Sequence, residues 1–146
     1  MLSHAPVNHP LRSVYRGIAA LTGLATLAIG AIGFAGTSSN EFFAAGDGEV
    51  LGLGMNPGHA LLMAASGVIV LLSLLVGRNV DQVVHLFLGI GVMGVGTVGL
   101  AIMRTDANFL NYRMANVVVA YVIGSLLFAA GLYIKSGRAT AEAAAH

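Results

Sequence analysis

Four long stretches without a single charge dominate this sequence: residues 17–36, 57–77, 82–103 and 114–134 contain no Asp, Glu, Lys or Arg. Each is 20 to 22 residues long, and at ~1.5 Å per residue a helix of that length crosses a hydrocarbon core of ~30 Å. Hydrocarbon offers peptide groups no hydrogen-bond partner, so a crossing segment must satisfy its own backbone, as a helix does. Composition agrees. Of 146 residues, 57% are hydrophobic and 9% charged, whereas a soluble domain carries about 25% charged residues to face water. The sequence therefore predicts an all-α integral membrane four-helix bundle, with helices at about 13–36, 57–77, 82–103 and 113–134.

The segments between these stretches set the expected boundaries. Residues 1–12, MLSHAPVNHPLR, read as a mobile polar tail, and residues 136–146 as a second tail whose alanine run prolongs helix 4. The first apolar run exceeds a signal-peptide core and lacks an A-x-A site, so it reads as a retained helix. Asn56-Pro57 pairs a capping side chain with proline at the first helical position, a start signal for helix 2. The turn GRNVD is short enough to make helices 2 and 3 antiparallel neighbours. Arg12, Arg16, Arg78, Lys135 and Arg138 lie on one side, against Arg104 and Arg113 on the other. The positive-inside rule then places both termini in the cytoplasm. The loop TSSNEFFAAGDGEVLGLGMN and the segment 104–112 face outward, carrying Glu41, Asp47, Glu49 and Asp106. Tyr15, Tyr112 and Tyr133 fall at the expected membrane boundaries as interfacial aromatics, and Phe42 and Phe43 are expected to dip into the interface.

Lipid tails supply little hydrophobic drive for helix association, so close approach through small residues matters. Small or polar residues recur at steps of three and four in every helix. The expected packing positions are Gly23, Gly30 and Gly33 in helix 1, Ser66 in helix 2, Gly89 and Gly96 in helix 3, and Gly124 in helix 4. This rhythm predicts a tight bundle with little internal space and left-handed crossings near +20°. The alternative is that some of these stripes face a neighbouring protein.

Candidate chemistry is sparse. With no cysteine, the chain has no disulfide, thiolate metal site or thiol nucleophile, and a net charge of +1 gives no sign of nucleic-acid binding. His59 and His85 are the two histidines in the membrane region. The topology puts them near opposite faces, roughly 20 Å apart in depth at ~1.5 Å per residue, too far to share one metal ion or haem. They read instead as members of polar networks at helix ends, where Asp81 holds His85 and accepts a bond from Arg78. Single-histidine ligation of a pigment, or of a partner's cofactor, is the competing reading. The stretch GDGEVLGLG lacks the strand and βαβ unit a phosphate loop needs and reads as flexible loop. Two carboxylates, Asp47 and Glu49, fall short of a calcium site's six to eight oxygens. No helix carries an ionisable residue near the midplane, as a transporter would, and the hydroxyls of Thr26, Ser66, Ser73, Thr97 and Ser125 are expected to bond back to their own helices. The expectation is a non-enzyme with no cofactor and no metal site.

The segments VYRGIAALTGLATLAIGAIGFAG, NPGHALLMAASG, GRNVD, TDANFLN and IGSLLFAAGLY carry a resemblance across residues 11–137. The chain resembles a family of small four-helix membrane proteins, mostly from actinobacteria and cyanobacteria, classed as a domain of unknown function. GRNVD and TDANFLN look like its actinobacterial branch. Many members have a second histidine four residues after the first in helix 2, where this sequence has Met63, which weakens a paired-histidine site. The resemblance implies a fold and a membrane location but no reaction. The function expected is a non-catalytic accessory or assembly subunit of a larger membrane complex, such as a respiratory supercomplex, with membrane lipids and other integral membrane subunits as partners. Alternatives are a homo-oligomeric structural or stress-related membrane protein, a small transporter or channel lined by Ser66, Ser73 and Thr97, and a haem- or pigment-binding protein.

Overall fold

The computed structural model describes residues 4–137. Its helices are α1 (Arg12–Thr37), α2 (Pro57–Val76), α3 (Val80–Ile102) and α4 (Met114–Tyr133). A small antiparallel hairpin, β1 (Glu49–Val50) and β2 (Leu53–Gly54), stands between α1 and α2. Each helix is long and apolar enough to cross a bilayer. This is a multi-pass protein of the cell membrane. The alanine run expected to prolong helix 4 lies outside the described residues.

Local chemistry explains the boundaries. The Asn56 side chain accepts the His59 N–H at 2.9 Å with Pro57 at the start of α2, as the sequence signal predicts. The reversal into α3 is made by three consecutive residues at positive φ, Gly77 (60°), Arg78 (53°) and Asn79 (66°). Inside the helices, hydroxyls return to their own backbone. Thr26 donates to the Thr22 carbonyl at 2.7 Å, Ser66 to Leu62 at 2.8 Å and Thr97 to Met93 at 2.9 Å. Ser125 departs from the pattern and meets the Met93 sulfur at 3.7 Å.

The helices associate as two close antiparallel pairs, α1 with α2 and α3 with α4, joined by thinner α1–α4 and α2–α3 contacts. In the first pair Gly23 lies against Val70, Gly30 against the backbone of Ala60 and Ala64, and Gly33 against Met55 and Ala60. In the second, Gly89 and Gly124 approach each other's backbone, Gly96 meets Ala120, and Gly131 meets Leu86. These glycines lie in the seams within the pairs, and Ser66 does not. On α2 the seam residue is Gly67, whose Cα faces Leu27 N and the Gly23 carbonyl so closely that a Cβ would lie 2.5 and 2.6 Å from them. One residue is about 100° of rotation at 3.6 residues per turn, which turns Ser66 away from α1. The smallest run on α2, Ala60–Ala64–Gly67, takes the seam, because it lets two backbones come closest.

Nor is the bundle uniformly tight. Where the two pairs meet, α2 and α3 splay and leave an apolar cavity of about 310 Å³ bordered by α2, α3 and α4, with Thr26 of α1 and Leu53 of β2 at its edge. The expectation of little internal space fails here because the small-residue seams lie within the pairs, while the facing side chains between pairs are bulkier, Leu62, Leu88 and Val92 among them.

Polar groups tie both ends of the bundle. At the terminal end Asn8 N–H donates to the Lys135 carbonyl (2.9 Å) and Arg12 Nε to the Ile134 carbonyl (2.8 Å). Asn79 exchanges hydrogen bonds with Ser136 at 2.7 and 2.8 Å. Asn8 and Arg12, in the segment expected as a mobile tail, are thus bonded across the bundle end, and Tyr15 and Tyr133 stack there at 4.7 Å. At the loop end the Asn111 amide donates to the Gly48 and Met55 carbonyls at 2.9 and 3.0 Å. Asn116 bonds both the N–H and the carbonyl of Gly54, and Asn56 donates to Ala44 and Phe109. The long loop read as flexible is therefore pinned by asparagines to the α3–α4 turn, with the two-residue turn at Leu51 (φ 55°) and Gly52 (φ 80°) closing its hairpin.

Candidate functional site

Two buried polar constellations bracket the bundle, one around each intramembrane histidine. At the terminal end, α1, α2 and α3 converge on Asp81, whose side chain is fully buried. The expected partner, Arg78, is exposed in the left-handed turn. Arg16 takes its place: one nitrogen pairs with the Asp81 carboxylate and another donates to the Leu74 carbonyl at 2.6 Å. One guanidinium on α1 thereby fastens both α2 and α3. A charged pair at a helix end survives burial because the carboxylate is met by a cation and by the Gln82 N–H at 3.1 Å.

His85, one turn beyond Asp81, is fully buried and places Nε2 3.2 Å from the Ser73 hydroxyl. That hydroxyl donates its one hydrogen to the Val70 carbonyl at 2.7 Å, so the imidazole is the donor and Nε2 carries the proton. Nδ1 is left without a hydrogen-bond partner, as is the amide nitrogen of Gln82.

At the loop end His59 is held differently. Its Nδ1 lies 3.1 Å from the Leu110 carbonyl; a carbonyl only accepts, so Nδ1 is protonated. The ring stacks on Tyr112 at 4.9 Å and 20°. Tyr112, expected at the membrane boundary, is only 5% exposed and is a wall of the α2–α3–α4 cavity together with His59, Asn116 and Ser66. Burial pushes its phenol up to about 12, so it is a neutral O–H donor. The structure thus gathers His59 and Ser66 at one site and Asp81 and His85 at another, but Asp81 bonds Arg16 and the Gln82 N–H instead of holding the His85 imidazole as expected, and Arg78 lies outside both. The two histidines sit at opposite ends of the bundle.

Sequence reasoning missed Arg16, Tyr112 and the asparagines at 108, 111 and 116. A weak signal existed for the last: NFLNYRMAN places three amides in nine residues of an otherwise apolar chain. Among the described residues no group of His, Asp and Glu is arranged to hold a metal ion.

Residues 16–133 match the family described as a domain of unknown function, DUF4383. The chain belongs to that family. The DUF4383 match begins at the arginine that pairs with Asp81 and ends with α4, so it takes in both constellations and the cavity. No curated protein and no solved structure matches the chain. What this DUF4383 protein can do is therefore argued from its own geometry: hold two helix pairs at both ends by buried polar contacts while presenting apolar faces along the sides.

Proposed function

We propose that the protein is a non-catalytic accessory or assembly subunit of a larger membrane complex, with both termini cytoplasmic and other integral membrane subunits as partners. A respiratory assembly is one such complex. One observation carries the reading. The polar side chains are spent on fastening the ends of the bundle, while no more than 39% of the most apolar window of any helix is buried within the chain. The uncovered faces include Gly94 on α3, where nothing lies within 4 Å of the place a side chain would occupy. Small residues on a lipid-facing surface let a neighbouring helix approach closely. The candidate pore hydroxyls give less support to conduction: Ser66 borders the cavity, Ser73 is buried against His85, and Thr97 pairs with Tyr121 at 2.6 Å.

Gentle detergent extraction of the native membrane, followed by native electrophoresis and mass spectrometry, tests this. The protein is expected to migrate with larger integral membrane subunits in fixed proportion. Migration only as a monomer or small homo-oligomer would reject the accessory role and favour a self-assembling structural protein.

A further inference from the structure

The cavity between the helix pairs has a polar account that leaves two lining atoms open, the accepting Nε2 of His59 and the hydroxyl of Tyr112. The Asn116 amide is consumed by Gly54 and Arg113, Thr26 and Ser66 bond back to their own helices, and His59 donates to Leu110. Tyr112 is only 5% exposed and its hydroxyl has no hydrogen-bond partner among the described residues, yet its oxygen is not one of the sealed polar atoms, so it remains reachable. A buried tyrosine hydroxyl ordinarily has a partner. An acceptor that enters the apolar cavity from the bilayer would complete it.

Position narrows its chemistry. Tyr112 immediately precedes Arg113, the cap of α4, so it sits at the loop-end surface of the hydrocarbon layer, and the cavity runs from there inward past Leu62, Leu88 and Val92. This is the level at which the ester carbonyls of bilayer lipids lie, with their chains below.

We propose that the cavity is a lipid-binding site, in which one acyl chain of a glycerolipid lies between α2 and α3 and its ester carbonyl accepts a hydrogen bond from the Tyr112 hydroxyl. His59, stacked on the phenol and held by Leu110, fixes the direction of that donor. The site is complete within one chain and does not depend on the accessory role.

The test uses the full chain, delipidated in detergent, with thermal unfolding followed against added dimyristoyl phosphatidylglycerol, decylubiquinone or hexadecane. The phospholipid is expected to raise the midpoint saturably and the alkane to leave it unchanged. Tyr112→Phe removes an unbonded hydroxyl, so its lipid-free midpoint should match the parent while its lipid affinity falls about tenfold, the worth of one hydrogen bond. Gly91→Phe fills the cavity from a position with open space around it and should abolish the lipid effect without unfolding the protein. Equal lipid affinity in Tyr112→Phe, or an undiminished lipid effect in Gly91→Phe, would overturn the proposal. So would stabilisation by decylubiquinone alone.

Discussion

Replacing Arg16 by Met should destabilise the protein by about 3 kcal/mol, the lower end of what is lost when one partner of a buried ion pair is removed. The size follows from asymmetry. Arg16 retains 28% exposure, but the Asp81 carboxylate has none, so the substitution strands a charge that neither lipid nor water can reach. It also deletes the 2.6 Å bond to the Leu74 carbonyl, releasing α1 from α2 and α3 together. The Arg113–Glu49 pair is the internal control, since its side chains are 39% and 52% exposed and an exposed pair contributes at most about 1 kcal/mol. Arg113→Met should therefore be nearly silent. Replacing Arg16 and Asp81 together by Met and Leu should recover much of the loss, because the stranded charge is gone. Unfolding in a mixed-micelle denaturant titration reads all three. Equal, small effects of Arg16→Met and Arg113→Met would show that the Asp81 carboxylate reaches water.

Gly67→Leu should cost a similar amount, near 3 kcal/mol, through overpacking. The atoms in its way are backbone, Leu27 N and the Gly23 carbonyl, and neither can swing aside as a flexible side chain would. The seam of α1 and α2 must open along its length. Gly94 provides the comparison: with nothing within 4 Å, Gly94→Leu should be tolerated in the isolated protein. The same pair of variants separates the Gly67 seam from the Ser66 one that the sequence suggested, because Ser66→Leu should be accommodated by the cavity. If Ser66→Leu proved the more damaging, α2 would have to be rotated to bring Ser66, not Gly67, against α1.

Much of this architecture was legible because bilayer crossing is dictated locally. Uncharged runs of helix-spanning length announce themselves, and Asn56-Pro57 states where one begins. Backbone bonding of hydroxyls such as Thr26 and Ser66 follows from the helix alone. What was not legible depends on contacts between distant parts of the chain. Arg78 is a sequence neighbour of Asp81, yet the pair is made by Arg16, 65 residues away, and no periodicity carries that choice. On α2 two adjacent stripes, His59–Met63–Ser66 and Ala60–Ala64–Gly67, both offer small residues, and only the shape of α1 decides between them. Tyr112 sits where an interfacial anchor belongs. Its burial depends on Gly99, whose missing side chain leaves room for the phenol ring, and on His59, which stacks upon it.

Four crossings bring the two ends of the bundle to one side of the membrane and the asparagine-pinned loop to the other. Because the chain has no cysteine, single cysteines report position without background. Asp47→Cys and Asp106→Cys, at exposed loop-end sites, should react with a membrane-impermeant maleimide added to intact cells. Asn8→Cys and Gly137→Cys, whose parent residues are hydrogen-bonded to each other, should react only after the membrane is permeabilised. Labelling of Asn8→Cys and Gly137→Cys from opposite sides would contradict the four-crossing bundle.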